Sequence, residues 1–256
     1  MNKNIDSDYR SWIYKHYATN FQNAPEIFDE EAALHWGRGY RHYLHGWLPV
    51  NKNVTIVDLA CGGGKLLHFF KKEQYQNISG VDISPEQVKL ARQVTPNVDE
   101  DNVLDWLETH PLTFDLITGL DIIEHLNKPE VLRFLDAIYN ALKPGGRLVL
   151  QTPNAESPWG SKHRYNDFTH EVGFNPNLLS RLLKLSGFQD VEARETGPLP
   201  WGYSMKSSIR FIIWQLIRLG LKIWNLAETG SAGSGIFSRV FLITGLKGSL
   251  NQVNNN

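Results

Sequence analysis

The residues that could do chemistry fall into two sets. The first is acidic and glycine-rich: Asp58, the turn Ala60-Cys61-Gly62-Gly63-Gly64, then Asp82, then Asp101-Asn102. Glycines in such a turn let backbone come close to a ligand because no Cβ intervenes. A helix opening straight after it offers N–H groups that attract carboxylate or phosphate. An acid at the end of a second strand stands about where a ribose diol needs an acceptor. The second set is Asp121, Glu124 and His125, followed by a polar stretch over 152–175 that carries His163, Arg164, Tyr165, Asp167, His170 and Glu171. If the turn at 121–125 is helical, Asp121, Glu124 and His125 share one face.

The elements that must position these residues are legible in the periodicity. Ile56, Val57 and Leu59 form a short apolar run ahead of the glycines, and Leu66, Leu67, Phe69 and Phe70 follow at helical spacing. Strand, glycine turn and helix make the first βα unit of a doubly wound sheet. Ile78-Ser-Gly-Val-Asp82 reads as the second strand, and Ser84-Pro85-Glu86 opens the next helix with a cap residue and an N1 proline. A fourth strand is expected over 114–119, a helix with an apolar stripe at Leu132, Leu135, Ile138, Tyr139 and Leu142, then a stop at Lys143-Pro-Gly-Gly146 and a fifth strand over 147–151. A helix over 176–186 and a sixth strand over 188–196 follow. The expected fold class is α/β, a doubly wound, mostly parallel sheet of seven strands. The dinucleotide fingerprint G-x-G-x-x-G is absent, which argues against a nicotinamide dehydrogenase on the same sheet.

Four segments in order, VDLACGGG at 57–64, GVDIS at 80–84, FDLITGLDIIEHL at 114–126 and LKPGGRLVLQTPN at 142–154, resemble class I S-adenosylmethionine-dependent methyltransferases. The resemblance covers roughly 54–196 and implies the Rossmann-like methyltransferase fold, with S-adenosylmethionine as cofactor and S-adenosylhomocysteine as product. It puts Asp58 and Gly62 near the methionine part, Asp82 on the ribose hydroxyls, and Asp101 with Asn102 near the adenine. Ala60, Cys61, Gly64, Ile83 and Asp121 complete the implied cofactor set. Ala60 stands where the family usually has glycine, so an adjusted backbone is expected there. For transfer to a hydroxyl, His125 is the first choice of general base and His170 the second, with His163, Arg164 and Tyr165 as acceptor-binding residues. No clustered acidic triad is visible, so no metal is expected. The stretch 151–176 is similar to methyltransferases of bacterial surface-polysaccharide biosynthesis, and DIIEHL also occurs in ubiquinone-pathway O-methyltransferases. The implied acceptor is therefore a sugar hydroxyl of a surface glycan or its precursor, the alternatives being a prenylated phenol or other small molecule, or a cofactor-binding protein without catalysis.

A length of 256 residues suits a single domain, and a net charge of −1 gives no global field for nucleic acid. One cysteine, no secretory leader and no confident membrane span fit a reducing cytoplasm. Cys61 reads as a small packing residue in the turn. Residues 1–50, rich in Tyr and Trp, are expected to form a helical cap over the cofactor, or merely to cover the sheet. Within that segment Arg38 and Arg41 could reach the methionine carboxylate, or be solvated. The core is expected over 54–196, a helical insertion over 197–235 and the last strand over 236–247. In the insertion, 205–226 is strongly apolar, with Lys206, Arg210, Arg218 and Lys222 on one helical stripe. Its apolar face is expected to pack on the core or on a second subunit, or to rest at the inner face of a membrane.

Overall fold

In the computed structural model the described residues are 10, 13, 26–200 and 203–249. Of the helical cap expected over residues 1–50, the part before residue 26 therefore lies, Arg10 and Ile13 apart, outside the described residues. The strands are β1 (Thr55–Leu59), β2 (Asn77–Asp82), β3 (Val98–Glu100), β4 (Phe114–Leu120), β5 (Leu142–Pro153), β6 (Phe188–Glu195) and β7 (Val240–Lys247). They form one sheet in the order β3-β2-β1-β4-β5-β7-β6. β1 pairs in parallel with β2 and β4, while β7 runs antiparallel between β5 and β6. The strand order reverses between β1 and β4, the place where open α/β sheets hold ligands beyond their carboxyl ends. The seven-stranded, mostly parallel α/β sheet is thus as expected.

Local chemistry starts the helices. α1 (Glu30–Tyr43) is capped by the Asp29 carboxylate, which accepts from Ala32 N. α2 (Lys65–Lys72) begins at Gly64, whose φ of 84° is left-handed. α3 (Pro85–Ala91) takes its proline in the first turn. α4 (Val103–Glu108) is capped by Asn102. α5 (Lys128–Ala141) opens with a capping box between Asn127 and Glu130, and α7 (Pro176–Leu185) is capped by Asn175. Between them lies the short α6 (Gly160–Tyr165).

Two apolar layers sandwich the sheet. On one face Ile117, Leu148 and Ile243 pack with Phe134, Leu135 and Ile138 of α5 and with Leu179 and Leu183 of α7. On the other, Ile56, Leu116 and Val149 pack with Phe69 and Phe70 of α2, Tyr40 of α1, and Leu44 and Trp47 just beyond it. The α1 aromatics therefore do cover the sheet, although Tyr40 also reaches toward the strand ends.

Several boundaries differ from the sequence reading, and the last strand begins at Val240 rather than at 236. Lys143-Pro-Gly-Gly146 does end α5, but β5 already begins at Leu142, which pairs with Phe114 before an irregularity shifts the register to Leu116↔Arg147. The inserted helix α8 runs Met205–Thr229, past the expected end, and stops at Gly230 with φ 72°.

The inserted helix also overturns two expectations. Its apolar face does not pack on the core: Ser208 is its one buried residue. Nor do its cations form one stripe. Lys206 and Arg210 are exposed, whereas Arg218 ion-pairs with Glu195 at 2.9 Å and is half-buried, as is Lys222. Charges four and eight residues apart drift around a helix of 3.6 residues per turn, so the later pair comes round to the body.

Candidate functional site

The glycine turn is built from backbone needs. Ala60, Gly62 and Gly64 all have positive φ, at 49°, 51° and 84°. Ala60 thus adopts the conformation for which glycine is the usual choice, at a modest steric cost. Gly63 and Gly64 serve packing: a Cβ at Gly63 would sit 2.6 Å from Leu90 Cδ2, and one at Gly64 3.1 Å from Ala91 Cα, so α3 closes onto the turn. At Gly62 a Cβ would meet nothing nearer than 4.0 Å, which leaves that position the open one. Cys61 is buried with its thiol pushed well up by burial, so it packs and does not react.

Three carboxylates lie at or near the ends of β1, β2 and β4. Asp58 stands opposite Gly80 of β2 and Thr118 of β4. The Thr118 hydroxyl donates to its Oδ1 at 2.7 Å. Burial pushes its pKa up to about 7, with Asp82 adding to the effect and the Thr118 bond opposing it. Asp82 accepts from Gly62 N at 2.8 Å on Oδ2 and from Ser84 N at 2.9 Å on Oδ1. Ile83 N is a third backbone donor to this carboxylate. Burial raises its pKa too, against the pull of those backbone donors. Asp121, at φ 57°, accepts from Gln151 Nε2 at 2.9 Å, and burial raises it as well. None of the three is ion-paired to Lys or Arg among the described residues.

The other expected members of this half are less enclosed. Asp101 is exposed and accepts from Asn102 N, while the Asn102 side chain is used as the cap of α4. Ile83, 43% exposed, follows Asp82 at the rim. Arg41 is paired with Glu73 on the surface and Arg38 is exposed, as solvated arginines are.

The second half of the site gathers around a short 3₁₀ turn, Ile123–His125. His125 Nδ1 lies 2.7 Å from Thr169 Oγ1, and that hydroxyl lies 2.7 Å from Asp167 Oδ1. A carboxylate can only accept, so Thr169 donates to Asp167 and accepts from His125 Nδ1–H. The imidazole is thereby held in the tautomer whose lone pair is on Nε2. Burial lowers the His125 pKa to about 4, His170 contributing in the same direction. The two imidazoles meet edge to face, centroids 4.7 Å apart. Glu124 is fully enclosed; Thr152 Oγ1 donates to its Oε2 at 2.9 Å and its Oε1 has no hydrogen-bond partner among the described residues. Burial, with Asp121 adding, holds its carboxyl well above the usual range. Glu124, His125 and His170 offer ligand atoms all within 4.8 Å of one another, a set that could hold a divalent cation.

Backbone contacts bring the distant loop here. Glu171 N and Val172 N donate to Glu124 O, and the Arg164 guanidinium donates to the carbonyls of His170 and Glu171. Arg164, expected to bind an acceptor, is thus occupied as a clamp on the loop. His163 lends its carbonyl to His170 Nδ1 at 3.0 Å, while Tyr165 is 80% exposed. Arg10 pairs with Glu130 and donates to His125 O, so its side chain touches the turn.

Three contributors escaped the sequence reading: Thr118, Gln151 and Tyr40. Tyr40 OH donates to Gln151 Oε1 at 2.6 Å, and Gln151 in turn donates to Asp121. A polar residue inside an apolar strand run was the available signal, because a buried polar group needs a partner.

Comparison with known proteins gives the family. A family model described as a methyltransferase domain matches residues 9–193, more than half of the chain. The ubiquinone biosynthesis O-methyltransferase of Xanthomonas euvesicatoria pv. vesicatoria is 33% identical over 180 residues, 61% of this chain and 72% of that protein. The protein of the same name from Xylella fastidiosa (strain 9a5c) is 33% identical over 120 residues, 44% of this chain and 46% of its own length. The chain thus spans about half the length of several curated relatives it matches. A solved S-adenosylmethionine-dependent methyltransferase from Archaeoglobus fulgidus shares the fold, with a TM-score of 0.61 at 20% identity, covering 93% of this chain and 100% of that one. With its sheet order, its glycine turn and this match, the chain belongs to the class I S-adenosylmethionine-dependent methyltransferases.

Proposed function

We propose that this chain O-methylates a sugar hydroxyl of a bacterial surface glycan or its precursor, with His125 as the general base. The observation that carries the base is the chain from Asp167 through Thr169 to His125 Nδ1, which leaves the proton-accepting lone pair on Nε2. Asp82 would accept from the ribose hydroxyls, with Ile83 and Asp101 at the adenine side. Asp58, Asp121 and the open Gly62 would face the methionine part. The donor set fits this cofactor: among the described residues Asp58, Asp82 and Asp121 have no Lys or Arg partner, the first two are buried and Asp121 lies open at the strand ends, which suits a ligand carrying a sulfonium and an ammonium. The bound cofactor supplies an activated methyl group; the chain must align the acceptor with it and remove one proton. Alignment contributes several kcal/mol. The acceptor oxygen becomes strongly acidic as its new C–O bond forms, so even a base with a pKa of about 4 can receive the proton. A single cysteine, free and buried, fits a reducing cytoplasmic setting.

A sugar acceptor is supported by the exposed aromatics Trp159 and Tyr165 in the segment that leads to His170, the ring type that packs on a pyranose, with Arg239 and Arg164 beside them. A second reading, a prenylated phenol, is favoured by the curated relatives, which are named as ubiquinone biosynthesis O-methyltransferases. Transfer of a labelled methyl group separates the two. Label in a lipid-linked oligosaccharide supports the first reading. Label in a polyprenyl catechol alone supports the second, and label in neither overturns both. Addition of EDTA tests the role of His125. A base predicts turnover within about twofold of the untreated enzyme, whereas a cation held by Glu124, His125 and His170 would make turnover collapse.

A further inference from the structure

α8 is an amphipathic helix mounted the wrong way round for a soluble surface. Its polar side chains turn to the body. Ser207 Oγ donates to Leu199 O at 2.8 Å, Trp214 Nε1 to Glu195 Oε2 at 3.3 Å, and Arg218 to Gly235 O at 3.1 Å while ion-pairing with Glu195. Its outward face carries Ile209, Ile212, Leu216, Leu219, Ile223 and Trp224, each between 47% and 67% exposed. The orientation is fixed by hydrogen bonds and an ion pair, so the apolar face cannot roll inward without breaking them. A contiguous exposed face of this kind marks an interaction site.

Charge indicates the occupant. Lys206 and Arg210 are exposed at the flank of the apolar face, and the helix has no acidic residue before Glu228. Apolar side chains flanked by cations suit an anionic lipid surface, into which the apolar face sinks while the cations stay at the headgroups. A second copy would bring the same cations and the same shortage of acids, so two such faces offer each other little charge complementarity. No helix among the described residues is long and apolar enough to cross a membrane, so α8 would lie on it.

Topology places this face beside the chemistry. β6 is antiparallel to β7, which is antiparallel to β5, so β6 ends at the same edge of the sheet as β1, β4 and β5. The insertion leaves from that end, and Ser234 N, on its return, donates to Glu156 Oε1 just beyond β5. We propose that α8 docks the protein on an anionic membrane surface with its strand-end site at the lipid boundary, where a lipid-linked acceptor is presented. The docking stands on the helix itself; only the acceptor's delivery rests on the O-methyltransferase reading above.

Vesicle flotation of the full chain tests this, using phosphatidylcholine alone and phosphatidylcholine mixed with phosphatidylglycerol. Flotation should be at least about tenfold stronger on the anionic mixture and should fall with salt. Leu216→Glu with Ile223→Glu should abolish it and leave the melting temperature unchanged, because both side chains already stand in water. Lys206→Glu with Arg210→Glu should weaken it about tenfold or more. Failure of the protein to float on either vesicle would overturn the proposal. So would equal flotation on both vesicles, or a lipid-free dimer in light scattering that Leu216→Glu dissociates. Loss of methyl transfer to every acceptor, with flotation intact, would instead strike the functional reading and leave the docking standing.

Discussion

The two halves of the site are built on different principles. Around Asp58 and Asp82 the geometry comes from consecutive βα units: the turn, the two strand ends and the backbone donors all lie within 58–84. Around His125 it comes from a side-chain chain that spans 44 residues of sequence, steadied by loop backbone docked on Glu124 O. The first half is rigid by local construction and suits a constant ligand. The second depends on a loop that can be exchanged without touching the sheet, and suits an acceptor that varies. The division implies that substitutions in one half should change cofactor affinity and those in the other turnover.

The largest effect is expected in the second half. His125→Ala should lower kcat about a hundredfold or more while S-adenosylhomocysteine affinity stays within about twofold, measured by steady-state rates and calorimetry. If kcat survives and His170→Ala abolishes it, the two histidines exchange roles. Next comes Asp82→Ala, expected to weaken S-adenosylhomocysteine binding at least about tenfold, since hydrogen bonds to a charged acceptor are worth about 1.5–3 kcal/mol. Unchanged affinity would remove Asp82 from the ribose. Thr169→Val keeps the shape but deletes the link to Asp167. It should reduce kcat several-fold, about what one orienting hydrogen bond is worth, and leave cofactor affinity alone; an equal loss in both would merge the two halves.

The smallest effect concerns Asp58. Its folded pKa of about 7 lies above the unfolded value of about 3.9. Its contribution to stability is therefore fully present below the unfolded pKa and is lost as pH rises through about 7. Asp58→Asn can still accept from Thr118 and carries no charge to desolvate. The apo variant should melt a few degrees higher than wild type at alkaline pH, with the difference shrinking toward acid, as followed by circular dichroism. A pH-independent difference would mean that the carboxylate is not what burial penalises.

How far the sequence carried follows the same line. The acids and glycines of the first half were legible because each sits at a strand end whose βα period is local. The seven-stranded, mostly parallel sheet followed from the βα pattern and the family resemblance, whereas its strand order was not legible. His125 was visible as a candidate, but not its partners. Thr169 and His170 arrive through an Arg164 clamp and carbonyl contacts that leave no mark on composition. Gln151 and Tyr40 looked like a strand residue and a covering aromatic. For α8 the periodicity revealed an apolar face without its direction, because Glu195, Gly235 and Leu199, which decide that direction, lie in other segments.

The ends of the insertion lie side by side. Thr196 N donates to Ser238 Oγ at 3.3 Å, and Thr196 Oγ1 donates to Val240 O at 2.9 Å. The stretch 197–237 thus leaves and re-enters the sheet through one doorway, and a short hairpin could bridge it. Loop-closure entropy changes slowly with length, so a shorter link should still close, while Glu195 of β6 would lose its contacts with Arg218, Trp214 and Phe237. The helix is therefore a module hung from the sheet at a single doorway, its two ends held together by Thr196.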